Sequence, residues 1–120
     1  MAMVSHARLV FGALGLAAAL AACAKPAHEI APTPIDPVMF AGKSCSQLVA
    51  ARARRSQALI FAGMAQNQVS DDDRMRTLGV PTPVGTLFDG DREPEVARLK
   101  GELHAIGAQM IVMNCGPDYR

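Results

Sequence analysis

Apolar side chains recur along the last third of the chain at Val96, Leu99, Leu103, Ile106, Met110 and Met113, spaced 3, 4, 3, 4 and 3 residues apart. That is an a/d seam of almost three heptads, and it predicts a helix packed along its length against a partner helix. Asp91 stands where an N-cap belongs. Glu93, Pro94 and Glu95 fill the first turn, where acids suit the helix dipole and proline loses no hydrogen bond. Gly116 and Pro117 mark the stop. A second helix is predicted from about Cys45 to Gln68. Ser44 and Gln47 have capping-box spacing, and no proline interrupts residues 45–68. Cys45, Val49, Ala53, Ile60 and Met64 fall near one face, with Ser56 in the gap, a pattern closer to a period of 3.6 than of 2. Two helices of about 24 residues would each be roughly 36 Å long.

Equal lengths suit an antiparallel hairpin, which brings Cys45 beside Cys115. A disulfide there would close a loop of about 70 residues, stabilising the fold by roughly 4 kcal/mol in the chain-entropy model. The expected fold is all-α: an antiparallel two-helix hairpin closed by a disulfide, on a Pro-rich tether. Arg55 falls within reach of Glu102 across such a hairpin.

The start of the chain has a different pattern. Residues 1–8 carry Arg8 and no acid, and residues 9–22 form an uncharged apolar run too short for a comfortable membrane span. This order marks a secretory signal. The run ends in Leu20, Ala21, Ala22 and Cys23, which resembles the lipobox of bacterial lipoproteins. That resemblance implies cleavage after Ala22, a diacylglycerol on the Cys23 thiol and an acylated amino group. Two or more acyl chains hold a protein stably on a bilayer. Ala24, rather than Asp, follows the cysteine, and by the same resemblance this implies the outer membrane, facing the periplasm. Such a compartment permits the Cys45–Cys115 disulfide and accounts for the odd cysteine count.

Without Arg8 the chain keeps 11 basic and 11 acidic side chains. A domain with no net charge is a poor nucleic-acid partner. Residues 24–43 hold four prolines and no period, so they read as an extended linker. The expected organisation is therefore a signal peptide over 1–22, a lipidated cysteine and extended linker over 23–43, and a helical hairpin domain over 44–116. His28 and Glu29 on the linker read as a solvated pair rather than a metal site.

The chain also resembles a group of small bacterial lipoproteins of uncharacterised function. The likeness covers about residues 43–116: a "KSC" helix start, an apolar Gly- and Pro-containing loop, "EVARLKGEL" and a terminal cysteine. Its most specific piece is Ala97–Leu103. Members are sometimes labelled ATP-binding parts of metal transporters, but the residues here do not support that function. A phosphate loop needs G-x-x-x-x-G-K-[ST]. The nearest stretch, Gly79–Thr86, has an extra residue between its glycines and no lysine. No nucleotide is expected.

The remaining candidates are weak as chemistry. Asp71, Asp72 and Asp73 lack calcium-loop spacing and read as a solvated cap on a short helical turn. Arg52, Arg54 and Arg55 read as a solvated helix face, and His104 as a surface residue. No nucleophile–base set is visible, so no catalysis, metal or cofactor is expected beyond the covalent lipid on Cys23. Residues 56–69 carry no charge, and a helix apolar all round needs more cover than one neighbour supplies. Residues 78–88, also apolar, would fold back, meet another copy or touch a membrane. The candidate interaction face is Leu59, Phe61 and Met64, together with the small residues Ala97, Gly101 and Ala105, which would let another helix approach closely. The expected function is a structural or protein-interaction role in the envelope, with the bilayer and a second copy or an envelope complex as partners. The alternative is a small binding subunit of an envelope transport system.

Overall fold

The computed structural model describes residues 23–74, 76–77, 80–81 and 90–116. The expected signal peptide, the stop residue Pro117 and all but two residues of the 78–88 stretch lie outside the described residues. Helix α1 spans Cys45–Arg74 and helix α2 spans Glu93–Val112. Two 3-10 turns, Ala27–Glu29 and Pro37–Phe40, precede them. A two-residue antiparallel ladder pairs β1 (Arg76–Thr77) with β2 (Val80–Pro81). The architecture is the expected helical hairpin. Its two helices pack on each other, and Cys45 is bonded to Cys115 with 5.6 Å between their Cα atoms. The described residues divide into two compact units, 25–67 with 92–116, and 23–24 with the described part of 68–91.

The larger unit holds the helix pair. Its antiparallel register is visible in three places: the disulfide, the Arg55–Glu102 ion pair at 2.8 Å, and Gln66, whose Oε1 accepts the Arg92 N–H at 2.7 Å. The capping box forms as expected. Ser44 N–H donates to Gln47 Oε1 at 2.9 Å, and Gln47 N–H donates to Ser44 Oγ at 3.2 Å. Other helix ends differ from expectation. Helix α1 has 30 residues and α2 has 20, so the lengths do not match. The N-cap position of α2 is Arg92 rather than Asp91. Its far end is closed by Asn114 rather than by Gly116. Asn114 takes a left-handed φ of 51°. Its N–H donates to Ile111 O, and Cys115 N–H donates to Met110 O. This is a Schellman closure, which satisfies the last carbonyls and turns the chain. It buries Cys115 toward its partner, whereas Met113, expected on the seam, is exposed.

The linker expectation for residues 24–43 is overturned. The segment is a strap laid along the helix pair. Ile30 is buried with Ala62, Val96 and Leu99, and Phe40 with Leu48, Ala51, Ala105, Ile106 and Met110. Thr33 N–H donates to Ala97 O at 2.9 Å. Lys100 Nζ donates to the carbonyls of Ala27 at 2.7 Å and Ile30 at 2.6 Å. Ala27 N–H donates to Asn67 Oδ1 at 2.8 Å, and Gln66 Nε2 donates to Lys25 O at 2.8 Å. The physical reason is core size: two helices alone bury too little apolar surface, and small domains need further support. The strap supplies a third layer. Side chains such as Leu48, Ile106 and Val96, all fully buried, contribute on the order of 1.5–3 kcal/mol each.

The expected inner face of α1 holds only at its start. Cys45 and Val49 are half-buried and pack against the core cluster, whereas Ala53, Ile60 and Met64 are exposed. The buried side chains of α1 in this unit are Leu48, Ala51, Ala62 and Gln66. In the smaller unit, Val69, Ser70 and Asp73 of α1 are buried, as is Ala24. Asp73, expected as a solvated cap, accepts the Ala24 N–H at 2.7 Å. The Ser70 hydroxyl is buried with no hydrogen-bond partner among the described residues.

Candidate functional site

Helix α1 has one side inside the domain and one side outside it. Leu48, Ala51, Ala62 and Gln66 face the core, while Ile60, Phe61 and Met64 are each at least 60 % exposed. All three sit in the uncharged stretch 56–69, so no neighbouring charge on the helix compensates for their contact with water. Isolated apolar side chains on a surface are ordinary, but a contiguous apolar patch is a mark of contact. Phe61 and Met64 are three residues apart and Ile60 and Met64 four, so they meet on one helix face.

The rest of the expected interaction face has been used inside the chain. Leu59 is half-buried against the cluster around Ile30, and Ala97 packs there too. Gly101 and Ala105 are buried. A Cβ at Gly101 would stand 1.9 Å from Thr33 O, so the backbone of the strap occupies the space left by the missing side chain. The small-residue face of α2 is therefore the seat of the protein's own strap, not of a second helix. No periodic signal in residues 24–43 announces this, because 3-10 turns and extended backbone impose no regular spacing on the residues they bury.

The electrostatics at the centre of the hairpin are structural. Glu102, whose side chain is 15 % exposed, accepts from Arg55 at 2.8 Å and also pairs with Arg98. Burial alone would raise its pKa. The hydrogen bonds and charges of Arg55 and Arg98 outweigh that effect and hold the carboxyl below its ordinary range. Arg52 and Arg54 are exposed, as is His104. Two open clefts flank α2. One, of about 590 Å³, lies between the strap and α2 and is lined by Pro32, Pro34, Asp36, His104 and Ala108. Its carboxylate already serves the strap, since Asp36 accepts the Val38 N–H at 2.9 Å. The other, of about 440 Å³, is lined by Arg52, Leu103, Met110 and Asn114.

His28 Nε2 and Glu29 Oε1 lie 3.6 Å apart and are largely exposed. Among the described residues no three His, Cys, Asp or Glu side chains gather as a metal site. Cys23 is half-buried and carries a free thiol. Among the described residues no helix is long and apolar enough to cross a membrane. Comparison with family models, with curated proteins and with solved structures finds no match to this chain.

Proposed function

We propose that this chain is an envelope-anchored bacterial lipoprotein whose domain works by protein contact, through the outward face of α1. The observation that carries the reading is the exposed set Ile60, Phe61 and Met64 on a helix whose other faces are covered by α2 and the strap. The anchor half of the proposal rests on "LAAC" after a short apolar leader. Acyl chains on Cys23 hold the protein on the bilayer, in the outer membrane by the residue at position 24. Ala24 is buried and its N–H is bound by Asp73. The acylated residue is thus the immediate neighbour of a fixed one, and the anchor has no long tether. The domain sits against the membrane surface, where diffusion is confined to a plane and weak contacts gain from a high effective concentration. The role is structural or adaptor-like, with no catalytic step.

The test is metabolic labelling with a fatty acid in a bacterial host with two membranes. The full chain should label, fractionate with the outer membrane and yield a mature N-terminus at acylated Cys23. Cys23→Ser should lose the label. A Cys23→Ser chain that still labels, or a wild-type chain with a free unmodified N-terminus, contradicts the anchor.

A further inference from the structure

The cleft that Arg52 shares with the end of α2 lies within the larger unit, apart from the exposed apolar set on α1. Around its space of about 440 Å³ stand Arg52, Leu103, Gly107, Met110, Ile111 and Asn114. None of the residues around it carries a carboxylate. Glu102, the last acid of α2, is taken by Arg55 and Arg98. Arg52 has no ion-pair partner among the described residues. Leu103, Gly107, Met110 and Asn114 are spaced 4, 3 and 4 residues apart and so follow one face of the helix and its closing turn. Gly107 leaves a notch in that face, because a Cβ there meets nothing within 4 Å among the described residues. The result is an apolar trough with an unpaired cation beside it.

We propose that this cleft binds a free fatty acid, with the carboxylate on Arg52 and the alkyl chain in the notch at Gly107. The proposal is independent of the contact reading, since it uses neither Phe61 nor Met64. The Arg52 guanidinium supplies paired donors that match a carboxylate. Leu103, Met110 and Ile111 supply the apolar wall. Ile111 is 81 % exposed, and an alkyl chain laid against it removes apolar surface from water on both sides. The volume falls in the usual range for small-molecule sites, roughly 300–1,000 Å³. A peptide is a poorer occupant. The walls are helices whose main-chain groups bond to one another, and beyond them the carbonyls of Met110 and Ile111 already accept the Cys115 and Asn114 N–H groups. The main chain of a peptide would find no partner there, whereas an alkyl chain needs none.

The experiment is a heteronuclear NMR titration of residues 23–120 carrying Cys23→Ser, with the disulfide intact and dodecanoate as the probe. Saturable shifts are expected at the Gly107 and Ile111 amides and at the Arg52 side chain. The expected Kd is on the order of 0.1–1 mM, the range a ligand of this size reaches in an open site. Dodecylammonium, the same chain with the opposite charge, should bind about tenfold more weakly or worse. Arg52→Gln should weaken dodecanoate binding about fivefold. Arg54→Gln, exposed on the same helix but outside the cleft, should not. Gly107→Leu fills the notch and should weaken binding about tenfold while circular dichroism keeps its helical signal. No saturable shift at about 5 mM dodecanoate, equal affinity for dodecylammonium, or shifts centred on Phe61 rather than Gly107 overturn the proposal. Binding to anionic phospholipid vesicles that Arg52→Gln abolishes, with no saturable dodecanoate binding, overturns the free-acid assignment in favour of a membrane contact.

Discussion

Replacing Gly101 with alanine tests the seating of the strap. A Cβ at this position would lie 1.9 Å from the Thr33 carbonyl oxygen and 3.3 Å from Ile35 Cδ1, against an ordinary contact distance of 3.4 Å or more. The oxygen belongs to backbone held by the Thr33 N–H bond to Ala97 O, so no side-chain rotation relieves the clash. The strap must lift by more than 1 Å. Overpacking of this kind costs about 1–3 kcal/mol. Weakening the Thr33–Ala97 hydrogen bond costs about 0.5–1.5 kcal/mol more. Alanine returns up to about 1 kcal/mol through its higher helix propensity. The expected net loss is about 1–3 kcal/mol. Gly107 provides the control. It lies in the same helix, and a Cβ there meets nothing within 4 Å among the described residues. Gly107→Ala should therefore stabilise the domain by about 0.5–1 kcal/mol. Urea unfolding of residues 23–120 with Cys23→Ser and the disulfide intact measures both. Opposite signs are expected. Equal stabilisation by the two substitutions would refute the seating of the strap on α2.

Gln66→Leu should cost about 2 kcal/mol in the same assay, because it strands the Lys25 carbonyl and the Arg92 N–H that the amide now joins. Glu102 gives the domain a pH dependence. Its folded pKa lies below the unfolded value, so its contribution is present above the ordinary carboxylate range and is lost as pH falls through the folded pKa. Stability measured from pH 6 down to pH 3 should fall, and Glu102→Gln should flatten that dependence while lowering stability at pH 6. Asn114→Ala should cost about 1 kcal/mol, because alanine tolerates the left-handed position less well. Asn114→Gly should be neutral or slightly stabilising, and thermal unfolding distinguishes the two.

The parts of the fold legible in the sequence were those governed by local rules. Ser44 and Gln47 cap α1 because capping depends on four consecutive residues. The α2 seam was readable because Val96, Leu99, Ile106 and Met110 are large, apolar and regularly spaced. The Cys45–Cys115 bond and the Arg55–Glu102 pair came from the antiparallel register, even though the helices differ in length, because register rather than length brings those residues together. The parts that were not legible depend on the third layer. Ile30, Ile35 and Phe40 pack on the hairpin through backbone with no period. Once the strap takes the groove, small and polar residues of α1 such as Ala51, Ala62 and Gln66 become the inside. Ile60, Phe61 and Met64, the more apolar choices, are left outside. Hydropathy along α1 alone therefore pointed to the opposite face. Asp73 was misread for a similar reason: its partner, the Ala24 N–H, lies 49 residues away in sequence.

Site-specific photo-crosslinking in intact cells tests the proposed function most directly. The full chain, with its leader, carries a photo-reactive amino acid at Phe61 in one version and at His104, also exposed but on α2, in another. Irradiation should give a discrete adduct from the Phe61 version in the membrane fraction and none from the His104 version. Phe61→Glu, introduced beside a photo-reactive residue at Met64, should abolish the adduct while leaving the protein folded and anchored. No adduct from Phe61 above the His104 background would contradict the assignment of α1 as a contact surface.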